Sequence, residues 1–237
     1  MKIAIMQPYF FPYIGYFQLM QAVDEFVIYD NIQYTKKGWI SRNRILVNGK
    51  DEYISLTLKK DSDYLDVKDR FLADTWSKDC QKMFNRIKES YRKAPQFSTI
   101  FPMVEKCLSF EENNLFLFIL NSVQEVKNYL DINTPLVRSS QILVNHDLKA
   151  EQKVMAICKA RNANHYINPI GGLELYSGEQ FKAEGLQLNF LKTNSFQYSQ
   201  LGNEFVPFLS ILDVLMFNEK EKVKEWLRNE YQMIEPK

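Results

Sequence analysis

Short apolar runs recur along the chain at residues 2–6, 25–29, 135–138, 165–167 and 187–191. Runs of that length with little polar alternation read as strands buried on both faces. Between them apolar positions fall three to four apart, so the pattern predicts alternating strands and helices and therefore a doubly wound parallel α/β sheet. Segments 45–47 and 53–58 behave differently, because they alternate around Asn48-Gly49. Both turn residues tolerate positive φ, which predicts an antiparallel hairpin beside the second parallel strand.

Residues 74–130 contain three helical patterns and no strand pattern. Asp74 or Thr75 can cap the first, whose inward stripe is Trp76, Met83, Ile87 and Tyr91, and Ala94-Pro95 ends it. The second spans 98–108 and the third 112–130, together a helical insertion covering one side of the sheet. Alternation then resumes with helices at 148–160 and 177–183, the latter stopped by Gly185. The chain closes with helices at 210–217 and 220–231. No repeat, low-complexity stretch or linker interrupts it, so residues 1–237 read as a single α/β domain.

The junction after the first strand is the most distinctive segment. Pro8 and Pro12 lack the ladder donor, so the strand gives way to a rigid aromatic turn that opens a helix at Gly15. Ligands of open α/β sheets bind at such carboxyl ends. Gln7, Tyr9, Tyr13, Gly15 and Tyr16 are the candidate binding residues here, because glycine admits an anion to backbone N–H groups and tyrosines donate neutral hydrogen bonds or stack. The segment after the second strand adds Asp30, Gln33, Lys36, Trp39, Arg42, Asn43 and Arg44, a cationic and aromatic platform suited to phosphates and rings. Gly171 and Gly172 follow the fourth candidate strand, where close backbone approach is useful. Tyr198 and Gln200 lie in a polar, aromatic stretch before Ser210 and Asp213, which can form a capping pair.

Composition narrows the classes. The 237 residues carry 30 basic and 29 acidic side chains, for a net charge of +1, which gives no reason to expect a nucleic-acid partner. Cys80, Cys107 and Cys158 are odd in number and widely spaced, as in reduced cytoplasmic proteins, and do not have zinc-ligand spacing. No apolar run approaches the roughly 20 residues of a membrane span, so no membrane insertion is expected. A dinucleotide glycine fingerprint, a Walker lysine and a nucleophile elbow are all missing. Only His146 and His165 are present, which excludes a histidine-rich metal site; no metal is expected. A homo-oligomer is compatible with all of this.

Ile5-Met-Gln-Pro-Tyr-Phe-Phe-Pro-Tyr-Ile-Gly-Tyr-Phe17, Phe26-Val-Ile-Tyr-Asp30 and Gln33-Tyr-Thr-Lys-Lys-Gly-Trp-Ile-Ser-Arg-Asn-Arg44 together resemble the WbqC family. The later Tyr166-Ile-Asn-Pro-Ile-Gly-Gly172, Tyr198-Ser-Gln200 and the stretch ending at Asp213 fit the same pattern. The resemblance implies work in O-antigen or other bacterial surface-polysaccharide biosynthesis, as a transferase that adds an acyl or aminoacyl group to a nucleotide-activated amino sugar. Under it Lys36, Arg42 and Arg44 would hold phosphates, Trp39 or Tyr9 would stack, and Gln7, Asn43 and Gln200 would orient polar groups. Asp30, then His165, would serve as the base. More distantly, Tyr13-Ile-Gly15-Tyr16 is similar to the His-x-Gly-His of pantothenate-synthetase-type nucleotidylyltransferases, which contacts ATP. Tyrosines carry no positive charge at pH 7, which weakens the case for ATP as cofactor. Two alternatives remain open: an ATP-dependent amide-forming ligase, and a non-catalytic nucleotide-sugar binding or scaffold protein.

Overall fold

The computed structural model describes residues 1–202 and 204–236. Its main sheet has six strands in the order β5-β2-β1-β6-β7-β8. These are β1 (Lys2–Met6), β2 (Glu25–Ile28), β5 (Leu136–Arg138), β6 (His165–Pro169), β7 (Gln187–Thr193) and β8 (Tyr231–Ile234). The first five are mutually parallel, as the apolar runs require, and β8 joins β7 antiparallel, pairing Thr193 with Tyr231. β1 sits in the middle because both of its faces are apolar. Ala4 faces one core with Phe26 and Ile28, while Ile3 and Ile5 face the other with Val27, Tyr166 and Leu188.

Eight helices flank the sheet among the described residues. On the second face lie α5 (Ala150–Ala160) and α6 (Gly178–Ala183), whose Val154, Ile157 and Phe181 enter that core. The first face is covered by α1 (Ile14–Gln21), α2 (Trp76–Tyr91), α3 (Phe97–Leu108), α4 (Leu115–Tyr129), α7 (Ile211–Phe217) and α8 (Lys220–Asn229). The expected stripe of Trp76, Met83, Ile87 and Tyr91 is the buried face of α2. Asn114 caps α4, accepting the Leu117 N–H at 3.1 Å.

Two expectations need correction. The hairpin forms at β3 (Arg42–Val47) and β4 (Lys50–Ser55), with Asn48 at φ 50° and Gly49 at φ 77°, but it is a separate two-stranded sheet rather than a neighbour of β2. Its hydrogen bonds go elsewhere: the Phe10 N–H donates to Ile40 just before it, and Ser210 N–H to Arg44 within it. The terminal helix stops at Asn229 rather than Tyr231, and Tyr231–Ile234 pairs with the open edge of β7, whose backbone groups otherwise lack partners.

A buried carboxylate ties the hairpin, α2 and the C-terminal third together. Asp213 is fully buried and accepts from Tyr91 Oη at 2.9 Å, Tyr198 Oη at 2.7 Å and Gln200 Nε2 at 2.7 Å. Tyr91 Oη also accepts the Leu46 N–H at 3.0 Å. Burial pushes the Asp213 carboxyl upward, and the three donors oppose that shift. Removing the acceptor leaves three buried donors stranded. Asp213→Ala is therefore expected to lower unfolding free energy by about 3 kcal/mol, and Tyr198→Phe by about 1 kcal/mol, in urea titrations. A loss below about 1 kcal/mol for Asp213→Ala would contradict this role.

Candidate functional site

The order of the parallel strands reverses at β1: the chain moves outward through β2 and β5, then returns to β6 and β7 on the other side. Loops leaving β1 and β6 therefore part at their carboxyl ends, and this is where an open α/β sheet leaves a crevice. Two adjoining cavities occupy it. The larger, about 1060 Å³, is lined on one side by Gln7, Tyr9, Tyr29, Asn31 and Gln33, and on the other by Asn168, Gly171, Gly172 and Tyr176. Asp66 bridges to Gln33 on the first side, and residues between His146 and Lys153 complete the lining. The smaller, about 500 Å³, is bounded by Tyr13, Asn43, Arg44, Ile170, Lys192 and Phe208. Met6, Tyr9, Trp39, Pro169 and Gly171 belong to both walls.

Aromatic hydroxyls dominate the first side. Burial, with Tyr13 nearby, pushes the Tyr9 phenol up to about 12. Burial likewise raises Tyr13, and it raises Tyr29 to about 12 with Tyr176 and Asp66 adding to the effect. These phenols are neutral near pH 7 and meet a ligand as hydrogen-bond donors. Among the described residues the Gln7 amide has no protein hydrogen bond, so its two donors and its acceptor stay available to the cleft.

The glycine pair divides into two roles. A Cβ on Gly171 would meet nothing within 4 Å, so the backbone there lies open to the cleft. One on Gly172 would sit 1.9 Å from Asn168 Nδ2, an amide held by Tyr166 Oη at 2.9 Å and Pro169 O at 3.2 Å.

Several residues expected in the site lie elsewhere. His165 begins β6 at the opposite end of the sheet, four strand steps or roughly 13 Å from Pro169, and bonds Asn189 Oδ1 at 2.8 Å. Asp30 does follow β2, but its Oδ1 takes the Ser140 N–H at 2.9 Å and the Ser139 hydroxyl at 2.8 Å, while Oδ2 takes the Ser140 hydroxyl at 2.6 Å. It braces the ends of β2 and β5 and lines neither cavity. Tyr16 is 1% exposed, packed on Phe17 and Phe26, with its hydroxyl unpartnered. Gly15 is buried, and a Cβ there would strike the Tyr13 ring at 2.3 Å and Thr193 Oγ1 at 2.5 Å, so the glycine serves close packing.

The cationic platform is also dispersed. Lys36 pairs with Asp63 at 2.6 Å, beside a different surface hollow. Arg42 donates to the Gly38 and Lys37 carbonyls and stacks over Tyr53. Arg44 reaches the smaller cavity while bonded to Asp51 at 2.9 Å and to the Phe208 carbonyl at 3.2 Å. Asn43 borders the same cavity, but its Nδ2 is committed to the Phe10 and Phe11 carbonyls at 3.2 and 2.7 Å. Tyr198 and Gln200 serve Asp213.

Conversely, the cleft contains Asp66, His146, Asp147, Lys149 and Lys153, which the sequence does not single out, beside Asn31 and Asn168 from the segments after β2 and β6. Asn31 Nδ2 lies 2.9 Å from His146 Nδ1. Desolvation is the main cause raising the Asp66 carboxyl, and burial is the main cause lowering Lys153. One signal was legible: Lys153 falls on the same helical stripe as Val154, Ile157 and Cys158, and a charge on an apolar stripe is unusual.

A model of the WbqC-like protein family matches residues 7–225. The chain belongs to that family. The match spans the opening turn, the hairpin, the glycine pair and α7, so the cleft lies within the WbqC-like core. The protein named "Uncharacterized protein Rv1507c" from Mycobacterium tuberculosis (strain ATCC 25618 / H37Rv) is 28% identical over 232 residues, covering 96% of this chain and 97% of that one. No solved structure matches. No helix among the described residues is long and apolar enough to cross a membrane, and none of their His, Cys, Asp and Glu side chains form a group able to hold a metal ion.

The two glycines make a paired test of this geometry. Gly172→Ala is expected to lower stability by about 1–3 kcal/mol, because the Asn168 amide must move. Gly171→Ala should stay within about 0.5 kcal/mol in the same thermal denaturation. Equal effects would show that Asn168 does not constrain the turn.

Proposed function

We propose that the cleft binds a nucleotide-activated amino sugar and that the protein transfers an acyl or aminoacyl group to the sugar's amine. Membership of the WbqC-like family suggests polysaccharide biosynthesis. The observation that carries the reading is the shared wall: a polar cavity and an aromatic one meet along Tyr9, Trp39 and Gly171. Two substrates seated in them would face each other there, and holding them in register is itself a large part of catalysis. The polar cavity offers amides and phenols for sugar hydroxyls; the smaller offers Trp39, Tyr13 and Phe208 for an apolar or ring-bearing donor.

Asp66 takes the base's role first expected of Asp30. It lines the polar cavity, and its carboxyl, unlike that of Asp30, is not filled by hydrogen-bond donors. In the step, the amine nitrogen bonds to the donor's carbonyl carbon, the bond from that carbon to the leaving group breaks with its electron pair, and Asp66 accepts the amine proton. A carboxyl raised above its usual range is a better base near neutral pH than an unperturbed one.

Nucleotide-linked amino sugars at about 100 times Kd should raise the melting temperature by about 5 °C or more. Asp66→Asn should keep that shift and lose about 100-fold or more of product by mass spectrometry. The wild-type rate should fall as pH drops through the Asp66 pKa, which lies above the ordinary carboxylate value, because only the ionised form accepts a proton. If no nucleotide sugar shifts the melting temperature, the reading is wrong. If one binds and no donor yields product, binding without catalysis replaces it.

A further inference from the structure

Lys153 presents an unsolved electrostatic problem. Its side chain is only 4% exposed, yet among the described residues it forms no ion pair. Its ammonium donates to the His146 carbonyl at 3.1 Å and lies 5.2 Å from the centre of the Tyr29 ring. An ammonium has three donors, so this leaves two without a protein acceptor beside the cavity that the residue lines. Asp66 and Asp147 share the lining and, with Asp30, attract the ammonium through space, but none of the three reaches ion-pair distance or accepts a hydrogen bond from it. Through-space attraction does not fill hydrogen-bond donors, and a buried ammonium with donors unfilled is costly, so a lysine kept in this position points to an acceptor that arrives from the cavity.

Its place in the helix makes the same point independently. Lys153 is the fourth residue of α5, next to the positive end of the helix dipole, where a cation is disfavoured. The first intrahelical bond runs from Lys153 N–H to Lys149 O, so the preceding N–H groups of Ala150, Glu151 and Gln152 precede the ladder. Glu151, the one acidic residue of that turn, is drawn away to the Ser177 N–H at 2.8 Å. Lys149 at the N-cap adds a second cation to the cavity wall, and the open backbone of Gly171 also borders it. Hydrogen-bond donors, two of them on cations, thus gather along one stretch of the cavity wall.

We propose that Lys153, with Lys149 and the first-turn N–H groups of α5, seats the diphosphate of the nucleotide-activated substrate. The inference rests on the amino-sugar reading above and adds the direction of binding: the diphosphate lies against α5, with the sugar extending toward Asp66 and the shared wall. The start of α1, where this architecture usually seats an anion, is buried in packing at Ile14, Gly15 and Tyr16. The phosphate function has moved along the same sheet edge to α5.

Calorimetric titration of the wild-type protein with inorganic pyrophosphate and with UDP tests this. Both should bind, and Lys153→Met, close in shape but uncharged, should weaken each at least tenfold, with Lys149→Met causing a smaller loss. Lys36→Met should change neither. Because a cavity lysine can also affect folding, hydrogen exchange on the wild-type protein provides a second readout: pyrophosphate should slow the amides of residues 150–153. Unchanged affinity in a folded Lys153→Met variant, or protection confined to other segments, overturns the assignment while leaving the amino-sugar reading in place. If neither phosphate compound binds but a nucleotide-linked amino sugar still raises the melting temperature, the diphosphate seat alone is refuted. If none of them binds, both readings fall.

Discussion

The aromatic turn at residues 7–13 is buried without regular structure, so it cannot satisfy its own backbone, and much of the molecule is arranged to do so. Phe11 even adopts φ 42°, a left-handed conformation that a bulky residue avoids unless its surroundings enforce it. The enforcement is specific. Asn43 donates to the Phe10 and Phe11 carbonyls, Ser210 Oγ donates to Phe11 O at 2.8 Å, and the Ile211 N–H donates to Pro12 O at 2.8 Å. A buried carbonyl left alone would cost on the order of 1–3 kcal/mol. The hairpin and the start of α7 are therefore held over the end of the sheet by the needs of the turn. Asp213 and Gln18 continue the same work farther out; Gln18 donates to the Trp226 carbonyl in α8 and the Glu230 carbonyl just past it, and accepts from Thr193.

That arrangement determines what kind of site remains. The start of α1 is spent on packing, with Ile14, Gly15 and Tyr16 all buried. The recognition chemistry left on that side is neutral: phenols held protonated by burial, and the Gln7 amide. Formal charge in the larger cavity is carried by the start of α5 and by Asp66 and Asp147, while Arg44 and Lys192 border the smaller one. A ligand crossing the cleft passes from a charged end, over amides and phenols, to an aromatic chamber, a sequence that suits a molecule with a diphosphate, a sugar and a reactive amine.

The sheet was legible in the sequence because its strands are buried on both faces and so appear as uninterrupted apolar runs. β8 was not, since a four-residue edge strand after an amphipathic helix carries no pattern of its own; it exists because β7 has an unpaired edge. The opening turn was legible as the loop at the carboxyl end of β1, since proline and glycine punctuate the chain there. Its residues split by side-chain direction, which local sequence does not encode: Tyr9 and Tyr13 face the cleft while Tyr16, one helical turn on, faces the core. The cations of residues 36–44 looked like a platform because they cluster in sequence, but Lys36, Arg44 and Arg42 found nearer partners in Asp63, Asp51 and a backbone carbonyl. Lys153 and Asp66 come from segments 87 residues apart, and only the closed sheet brings them to one cavity.

Trp39 gives the molecule an optical property that follows from its architecture. Of the three tryptophans, Trp76 and Trp226 are buried at 8% and 7% exposure, each against aromatic neighbours, while Trp39 is 41% exposed and stands where the two cavities join. Two indoles report on the core and one on the mouth of the cleft. Quenching by a small water-borne agent such as iodide reaches the third far more readily than the others. The native chain thus carries a built-in fluorescent gauge of whether the junction is filled, with no label attached.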